Sequence, residues 1–193
     1  MGVDATGLAQ GAVSTFFVRR MHHHGQKPLP WRHWLKWVVV VDLDQHFVLS
    51  QLARRGPWND CANLPAVVEA ASQETRIGLV LADADFDSER NHTYIRCQLG
   101  AQSVIPAKRG KKTWRVHGVR AEMRKEFPRK LYRCRALVES VFSSVKRKVS
   151  ARAPGRTFAA QRRQALLLGL SFNLYRLWYR YHLLRMSTEP YHL

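Results

Sequence analysis

Residues 34–56 read WLKWVVVVDLDQHFVLSQLARRG. Two apolar runs rich in β-branched residues flank a polar turn at Asp42 to Gln45, which is typical of a β-hairpin. Asp42 and Asp44 are most simply turn residues, because short acidic side chains can bond to the nearby backbone. The stretch therefore predicts two paired strands at the start of the fold.

Three further short segments outside this hairpin have strand character. GVDATGLA (2–9) precedes the hairpin, while IGLVLA (77–82) and AQSVIPA (101–107) follow it. The run IGLVLA is almost continuously apolar, as expected of a strand that is buried on both faces of a sheet. These segments extend the predicted hairpin into a larger sheet.

Helices are predicted between and after these strands. One begins behind a Gly-Pro break, with Asn59 or Asp60 as its N-cap, and a shorter one is capped by Ser88 and ends at Gly100. Asp87 is also assigned to that cap, and the chain after the basic loop at 108–115 is mostly helical to about Arg185. The predicted fold is therefore a mixed α/β sheet flanked by helices, with a long C-terminal helical part, in one domain spanning 1–193.

The charge of the chain favours nucleic acid as its partner. The sequence has 193 residues, with 32 Lys and Arg against 14 Asp and Glu, a net charge of +18 and a pI of 10.8. The basic residues are spread along most of the chain, whereas membrane-binding chains usually concentrate them in one helix or cluster. The late apolar stretch 165–184 is interrupted by Asn173, Arg176 and Arg180, so it predicts a helix with one buried face and not a membrane span.

The cysteines and the start of the chain indicate an intracellular protein. The three cysteines are far apart and form no CxxC pair, which argues against a disulfide framework or a zinc ribbon. The start MGVDATGLAQ lacks the features of a signal peptide. A cytoplasmic location, in association with the nucleoid, is expected.

Three of the fourteen acidic residues stand out by position. Asp4 lies on the first strand, Asp83 lies where the buried strand 77–82 ends, and Glu139 lies on a late helix. The ends of such strands usually present functional side chains in α/β sheets. Glu122 and Glu126, beside Arg and Lys on one helix, are predicted to form surface ion pairs.

The late segment LYRCRALVESVFSSVKRK (131–148) is predicted to form one helix. Counting 100° per residue gives two stripes, a core stripe of Cys134, Val138, Val141 and Val145 and a marginal stripe of Tyr132, Arg135, Glu139 and Lys146. Glu139 is then either an ion-pair partner of Arg135, worth about 0.3–0.5 kcal/mol, or a metal ligand that reaches a cleft.

The spacing of the marginal stripe resembles a family signature. Tyr132, Arg135, Glu139 and Lys146 follow the Y-(2)-R-(3)-E-(6)-K pattern of bacterial insertion-sequence transposases of the DDE type. VLADADFDSERN (80–91) is similar to the second-Asp block of these enzymes, and VDATGL (3–8) to the first. RRGPWND (54–60) and SVIPAKRG (103–110) also look like family segments, so the resemblance runs from residue 2 to about 175.

The resemblance implies a ribonuclease-H-like fold and a catalytic triad of Asp4, Asp83 and Glu139. In such enzymes the triad binds two Mg²⁺ ions, with Mn²⁺ as a substitute, for phosphodiester cleavage and strand transfer during DNA transposition. Tyr132, Arg135 and Lys146 map to positions that contact the DNA backbone. The implied partner is double-stranded DNA at the element ends and the target, bound by a homodimer in the transposition complex.

The basic segment KRGKKTWR (108–115) offers further candidate DNA contacts. These are Lys108, Arg109, Lys111, Lys112 and Arg115, with Trp114 beside them, in a predicted loop that either contacts DNA or is merely solvated. The later aromatic residues Phe172, Tyr175, Trp178 and Tyr179 are assigned to the core or to a dimer contact.

The chain departs from the family pattern in two places. Asp85 stands where the family usually has Gly, and Asp4 lies only four residues from the start, where the family places a DNA-binding region. The chain is therefore expected to be an N-terminally truncated catalytic domain. The alternative function is a catalytically inactive DNA-binding remnant of a transposase.

Overall fold

The computed structural model of the protein describes residues 1–9, 34–56, 59–108 and 117–188. Its strands are β1 (Gly2–Leu8), β2 (Leu35–Val41), β3 (Val48–Arg55), β4 (Leu79–Ala82) and β5 (Gln102–Val104). They form one sheet in the order β3-β2-β1-β4-β5. Strand β2 is antiparallel to both of its neighbours, β1 and β3, whereas β1, β4 and β5 run parallel.

The predicted hairpin is confirmed as β2 and β3, which pair from Leu35 and Arg55 to Val41 and Val48. All seven residues of β2 are buried, because this strand has neighbours on both sides and helices on both faces. The turn is as predicted, since the Asp44 backbone N–H donates to Asp42 Oδ1 at 3.0 Å.

The helices lie mostly in the second half of the chain. They are α1 (Leu64–Glu74), α2 (Glu89–Thr93), α3 (Gly118–Lys125), α4 (Arg129–Tyr132), α5 (Ala136–Lys148) and α6 (Phe158–Thr188). The Ser88 cap is confirmed, because its Oγ accepts from Asn91 N at 3.1 Å. One π-helical turn, Tyr94–Gln98, continues α2, and Gly100 ends the segment with a φ of 62°.

The predicted N-cap of α1 is wrong. A short 3₁₀ turn, Cys61–Asn63, precedes the helix, and a proline in its first turn makes Leu64 a favourable starting point. Asn59 Oδ1 accepts from the Cys61 backbone N–H at 3.1 Å, while Asp60 pairs with Lys36. Lys36 is buried on β2, and a buried ammonium group needs such a partner.

The core lies on both faces of the sheet. Alternate β2 residues Trp37 and Val39 pack with α5 and α6 on one face. Val38 and Val40 pack with α1 on the other. The mixed α/β sheet with flanking helices predicted from the sequence is thus confirmed, and the single-domain boundary at 1–193 stays a prediction.

The segment 131–148 is not one helix. Helix α4 ends at Tyr132, a 3₁₀ turn covers Arg133–Arg135, and α5 begins at Ala136. A 3₁₀ turn advances by three residues per turn, so positions counted at 100° do not carry through it. Cys134 is consequently exposed and its assignment to the core was wrong, although the three valines of that stripe are buried.

Helix α6 is apolar over much of its length, but only one side of it faces the core. Ala165, Leu168 and Phe172 are buried, whereas Trp178 is 59% exposed. Within the described residues, no helix combines the length and the apolar character that crossing a membrane requires.

Helix α5 lies unusually close to β1. A Cβ atom added to Gly2 would be only 2.3 Å from Val138 Cγ2, so a side chain at position 2 would force Val138 to move. On the other side of β1, the Met1 carbonyl accepts from Leu81 N at 3.0 Å. The strand that carries Asp4 is therefore held between β4 and α5.

Candidate active site

The pairing of β1 with β4 places Asp4 and Asp83 beside each other. Gly2 pairs with Leu81 and Val3 with Ala82, so the two aspartates are the next residues along the two parallel strands. The backbone N–H of Ala5 donates to Asp4 Oδ1 at 2.8 Å, and that of Ala84 to Asp83 Oδ1 at 2.6 Å. Both carboxylates are therefore fixed side by side, where β4 ends.

Glu139, in the first turn of α5, completes a group of three carboxylates. The guanidinium of Arg135 contacts all of them. Its Nη1 lies 3.1 Å from Asp4 Oδ2 and 2.9 Å from Glu139 Oε1. Its Nη2 lies 3.4 Å from Asp83 Oδ2. The sequence left Glu139 as either an ion-pair partner of Arg135 or a metal ligand. The ion pair is present, and it is part of a larger cluster.

The three carboxylates differ in their exposure to water. The side chain of Asp4 is 14% exposed, that of Asp83 41% and that of Glu139 62%. Burial raises the pKa of Asp4 to about 6, against the opposing effect of the Arg135 charge. Asp83 and Glu139 raise this pKa further, because three negative charges surround one guanidinium.

Tyr132 holds Arg135 in this position. Arg135 Nε donates to Tyr132 Oη at 3.1 Å, and the Tyr132 ring packs edge-on against Phe127 with centroids 5.0 Å apart. Burial raises the pKa of Tyr132, so the hydroxyl stays neutral. For Arg135, burial lowers the pKa, but the bond to Tyr132 and the charges of Asp4 and Asp83 outweigh it and the pKa is raised.

Lys146, about two turns after Glu139 on α5, reaches the strand β1 that carries Asp4. Its Nζ donates to Thr6 Oγ1 at 2.6 Å. Arg135 and Lys146 of the spaced motif thus bond to β1 directly, whereas Tyr132 and Glu139 bond to Arg135. Sequence reasoning missed Thr6, although a residue two positions after Asp4 on a strand lies on the same face as Asp4.

A second cluster, around Asp87 and Arg120, was not predicted. Asp87 is fully buried at its side chain, and Arg120 binds both of its oxygens at 2.7–3.0 Å. The Lys108 backbone N–H also donates to Asp87 Oδ2 at 2.8 Å. The assignment of Asp87 to the cap of α2 was wrong, because its carboxylate serves this buried pair while Ser88 alone caps the helix.

The Asp87 cluster fixes the segment that follows Asp83. Glu89 accepts from the backbone N–H groups of Val119 and Arg120 at 2.9 and 3.2 Å, which joins α2 to the start of α3. His92 Nδ1 lies 2.7 Å from Ser103 Oγ, which ties α2 to β5. Asp87 and Arg120 are some thirty residues apart, as are Glu89 and Val119, so no local sequence pattern predicts that they meet. Only the packed structure reveals these contacts.

Of the remaining predicted residues, some form surface ion pairs and the others lie outside the described residues. Asp85 forms an ion pair with Lys108 at 2.8 Å at the surface, so its carboxylate engages a lysine and not the three central acids. Glu122 forms its predicted surface pair with Arg96, at 2.8 Å. The other candidate DNA contacts, namely Arg109, Lys111, Lys112 and Arg115, lie outside the described residues.

The donor chemistry of the cluster fits a divalent cation. Among the residues described, no three His, Cys, Asp or Glu side chains are placed to hold a metal ion directly, since Asp4, Asp83 and Glu139 meet through Arg135. Three carboxylates are hard oxygen ligands, and one guanidinium leaves two of their three negative charges unbalanced. A divalent ion would supply that charge.

Comparison with known families gives one assignment. The family model described as "Transposase DDE domain" matches residues 3–174 of the chain. The match begins one residue before Asp4 and includes Asp83, Glu139 and the whole Tyr-Arg-Glu-Lys stripe. No curated protein is similar enough to this sequence to count as a match.

Proposed function

Because this chain belongs to the transposase DDE domain family, we propose that Asp4, Asp83 and Glu139 are the acidic residues with which it cleaves and joins DNA. The observation that carries this proposal is the shared contact of all three carboxylates with Arg135. They come from β1, from the end of β4 and from α5, so the whole fold is needed to bring them together.

The three carboxylates would hold two Mg²⁺ ions, for which Mn²⁺ can substitute. Such a pair of ions activates the attacking water or 3′-hydroxyl and stabilises the leaving oxygen in phosphodiester cleavage. Asp4 and Asp83 are prepared for this task by their backbone hydrogen bonds, which fix one oxygen of each and leave the other directed at the cluster.

Arg135 would serve two partners in succession. In the described arrangement it balances part of the negative charge of the acidic cluster, with its Nε bonded to Tyr132. The two terminal nitrogens, which contact the carboxylates in this structure, are the ones that would turn to a phosphate, to which a guanidinium binds through two parallel hydrogen bonds. Lys146 is tied to Thr6 only by one bond and would add a point charge on the neighbouring phosphate.

The wider DNA contact follows from the charge of the chain. With a net charge of +18, the surface attracts double-stranded DNA through its phosphates, and binding should weaken steeply with salt. Lys108 is part of this proposed surface, although it is paired with Asp85 in the structure. The proposed assembly is a homodimer on element-end and target DNA, at the bacterial nucleoid.

The test is a nicking and joining assay on supercoiled DNA that carries the element ends, with Mg²⁺ or Mn²⁺. We expect D83N and E139Q to lose activity by at least about 10³-fold, since each removes a residue that acts with the other two as a unit. DNA binding, followed by fluorescence anisotropy, should be retained in both variants. D85N is the matched control, because it removes a neighbouring surface carboxylate that pairs with Lys108.

Two outcomes would contradict the assignment. If D83N cleaved DNA as well as the unmodified protein, Asp83 would not be a catalytic residue. If the unmodified protein bound DNA but neither metal supported nicking, the chain would be the inactive DNA-binding remnant.

A further inference from the structure

A cavity of about 280 Å³ lies between α5, α6 and the connection from β2 to β3. Its floor is apolar, because Val141 and Phe172 are almost fully buried, and its rim is open, since Ser140 and Lys148 are exposed. We call it the α5–α6 cavity, and its lining consists of His46, Leu137, Ser140, Val141, Ser144, Lys148, Phe172, Tyr175, Arg176 and Tyr179.

The α5–α6 cavity is separate from the acidic cluster. Counted at 100° per residue, Glu139 and Lys146 lie on one side of α5, the side that meets β1. Ser140, Ser144 and Lys148 lie about 100–180° further around the helix. The cavity is therefore a second site on α5, on a different face from the three acids.

The charged groups that line the cavity are all basic. Lys148 and Arg176 carry permanent positive charges there, and none of the described lining residues is acidic. In the described part of the chain neither of them forms an ion pair with a carboxylate. Lys148 Nζ instead contacts Tyr175 Oη and lies 4.1 Å from the centroid of that ring. Two positive charges thus meet at one cavity with no negative charge to balance them.

Arg176 also has a hydrogen-bond donor to spare. Its Nη2 donates to the Gln45 carbonyl at 3.0 Å, which fixes the guanidinium against the hairpin. Its Nε is buried and meets no acceptor among the described residues. Buried N–H groups in folded proteins almost always have a partner, so this one points to an acceptor from outside the chain.

We propose that the α5–α6 cavity binds a phosphate group. A phosphate brings up to two negative charges and at least three acceptor oxygens, which suit Lys148, Arg176 and the hydroxyls of Ser140 and Ser144. A carboxylate brings one charge and two oxygens, so it would leave part of this set unmatched.

The size of the cavity leaves room for the group that carries the phosphate. Its volume is about nine times the ~30 Å³ that one water molecule occupies in the liquid. The ring of Tyr175, which stacks on Tyr179 with centroids 6.4 Å apart, forms an aromatic wall beside Lys148. The phosphate is therefore part of a larger compound, either the DNA backbone or a free phosphate compound such as a mononucleotide.

Titration of the full chain with inorganic phosphate, followed by calorimetry, tests the site. A chelator in the buffer keeps the acidic cluster free of cations, so the result is independent of the nicking assay. We expect S144E to weaken binding by at least about tenfold, because its carboxylate enters the cavity one turn before Lys148 and competes with the phosphate. S143E is the matched control, since it adds the same charge at the neighbouring exposed position outside the cavity, and should keep the affinity within about twofold.

A second pair of variants covers the case in which S144E does not fold. K148Q and R147Q each remove one positive charge at adjacent exposed positions, but only Lys148 lines the cavity. K148Q should weaken phosphate binding several-fold more than R147Q. Equal weakening within each pair would show attraction by the overall charge alone and overturn the proposal. An unmodified protein that binds no phosphate would overturn it as well.

Fluorescence anisotropy with duplex DNA and calorimetry with a deoxynucleoside monophosphate identify the source of the phosphate. If the DNA backbone supplies it, S144E should weaken DNA binding more than S143E and lower the salt dependence by about one phosphate contact. If a free compound supplies it, S144E and S143E should bind DNA equally, while the mononucleotide loses affinity for S144E alone. A mononucleotide and a duplex that both bind S144E as well as they bind S143E would overturn the proposal.

Discussion

Two arginines that follow β4 in the chain, Arg120 and Arg135, bind different numbers of acidic residues in different surroundings. Arg120 binds one carboxylate, Asp87, which is fully buried and whose oxygens also receive a backbone N–H. Arg135 is shared by three carboxylates, two of which are more than 40% exposed. The Asp87 carboxylate is matched by one guanidinium and is closed to water, although Arg120 itself is 26% exposed. The second cluster carries excess negative charge, and its Asp83 and Glu139 are open to water.

The difference separates a structural ion pair from a reactive one. A buried pair with all its hydrogen bonds made cannot exchange partners without leaving a charge unsatisfied. The Arg135 cluster can exchange partners, because Asp83 and Glu139 remain hydrated and a cation can replace the guanidinium. An ion-pair network therefore points to function when its charges do not balance and its members reach water.

The largest expected effect is on stability and belongs to the closed cluster. R120M should lower the free energy of unfolding by about 3–5 kcal/mol, because it leaves the Asp87 carboxylate buried without its partner. R135M should cost only about 1 kcal/mol, since two of its acids stay hydrated and Asp4 can take up a proton. Urea denaturation monitored by fluorescence measures both.

E122Q provides the control for this comparison. It breaks the pair with Arg96, which is a surface pair, and should change the free energy of unfolding by no more than about 0.5 kcal/mol. Equal losses in R120M and R135M would contradict the distinction between the two clusters.

The second expected effect is a pH dependence of stability caused by Asp4. The folded-state pKa of Asp4, about 6, is raised above its unfolded value, so the folded protein binds the proton more tightly. Its charged form therefore costs stability above pH 6, and this cost vanishes below about pH 4, where the group is neutral in both states. In chelator-treated protein, D4N should gain about 2 kcal/mol relative to the unmodified chain between pH 4 and pH 7.

D44N is the control for D4N, because Asp44 lies in the exposed hairpin turn. Its stability difference from the unmodified chain should not follow the same pH window. A D4N protein whose relative stability is constant from pH 4 to pH 7 would show that Asp4 has no raised pKa.

The smallest expected effect is on cation affinity. R135Q removes the positive charge that competes for Asp4, Asp83 and Glu139, so Mg²⁺ or Mn²⁺ should bind about tenfold more tightly in calorimetry. R133Q removes the same charge from an exposed position two residues away and should change the affinity little. Unchanged or weaker binding in R135Q would mean that Arg135 supports the cation and does not compete with it.

Much of the sheet could be predicted from local patterns. The valine run of β2 and the apolar run before Asp83 are continuous because both strands are buried on both faces. The position of Asp83 at a strand end followed from the same pattern. The choice of Asp4 and Glu139 as its partners depended instead on the spacing of a known family, since strand order cannot be read from local periodicity.

The errors have physical causes in particular residues. Cys134 was assigned to the core because the 3₁₀ turn at Arg133–Arg135 has no clear sequence signal. Asp87 and Asp60 were assigned to helix caps because their partners, Arg120 and Lys36, are distant in sequence. Rules based on neighbouring residues predict a bond to the nearest backbone N–H group. In the folded chain these carboxylates instead pair with a charged side chain that is distant in sequence.

Gly2 contacts none of the three acids, yet the absence of a side chain at this position bears on their arrangement. Restoring ordinary contact with Val138 would need a shift of about 1 Å, and a misplacement of that size can cost a catalytic site about two orders of magnitude in rate. The glycine at position 2 therefore allows α5, which carries Glu139, to pack close to the strand that carries Asp4.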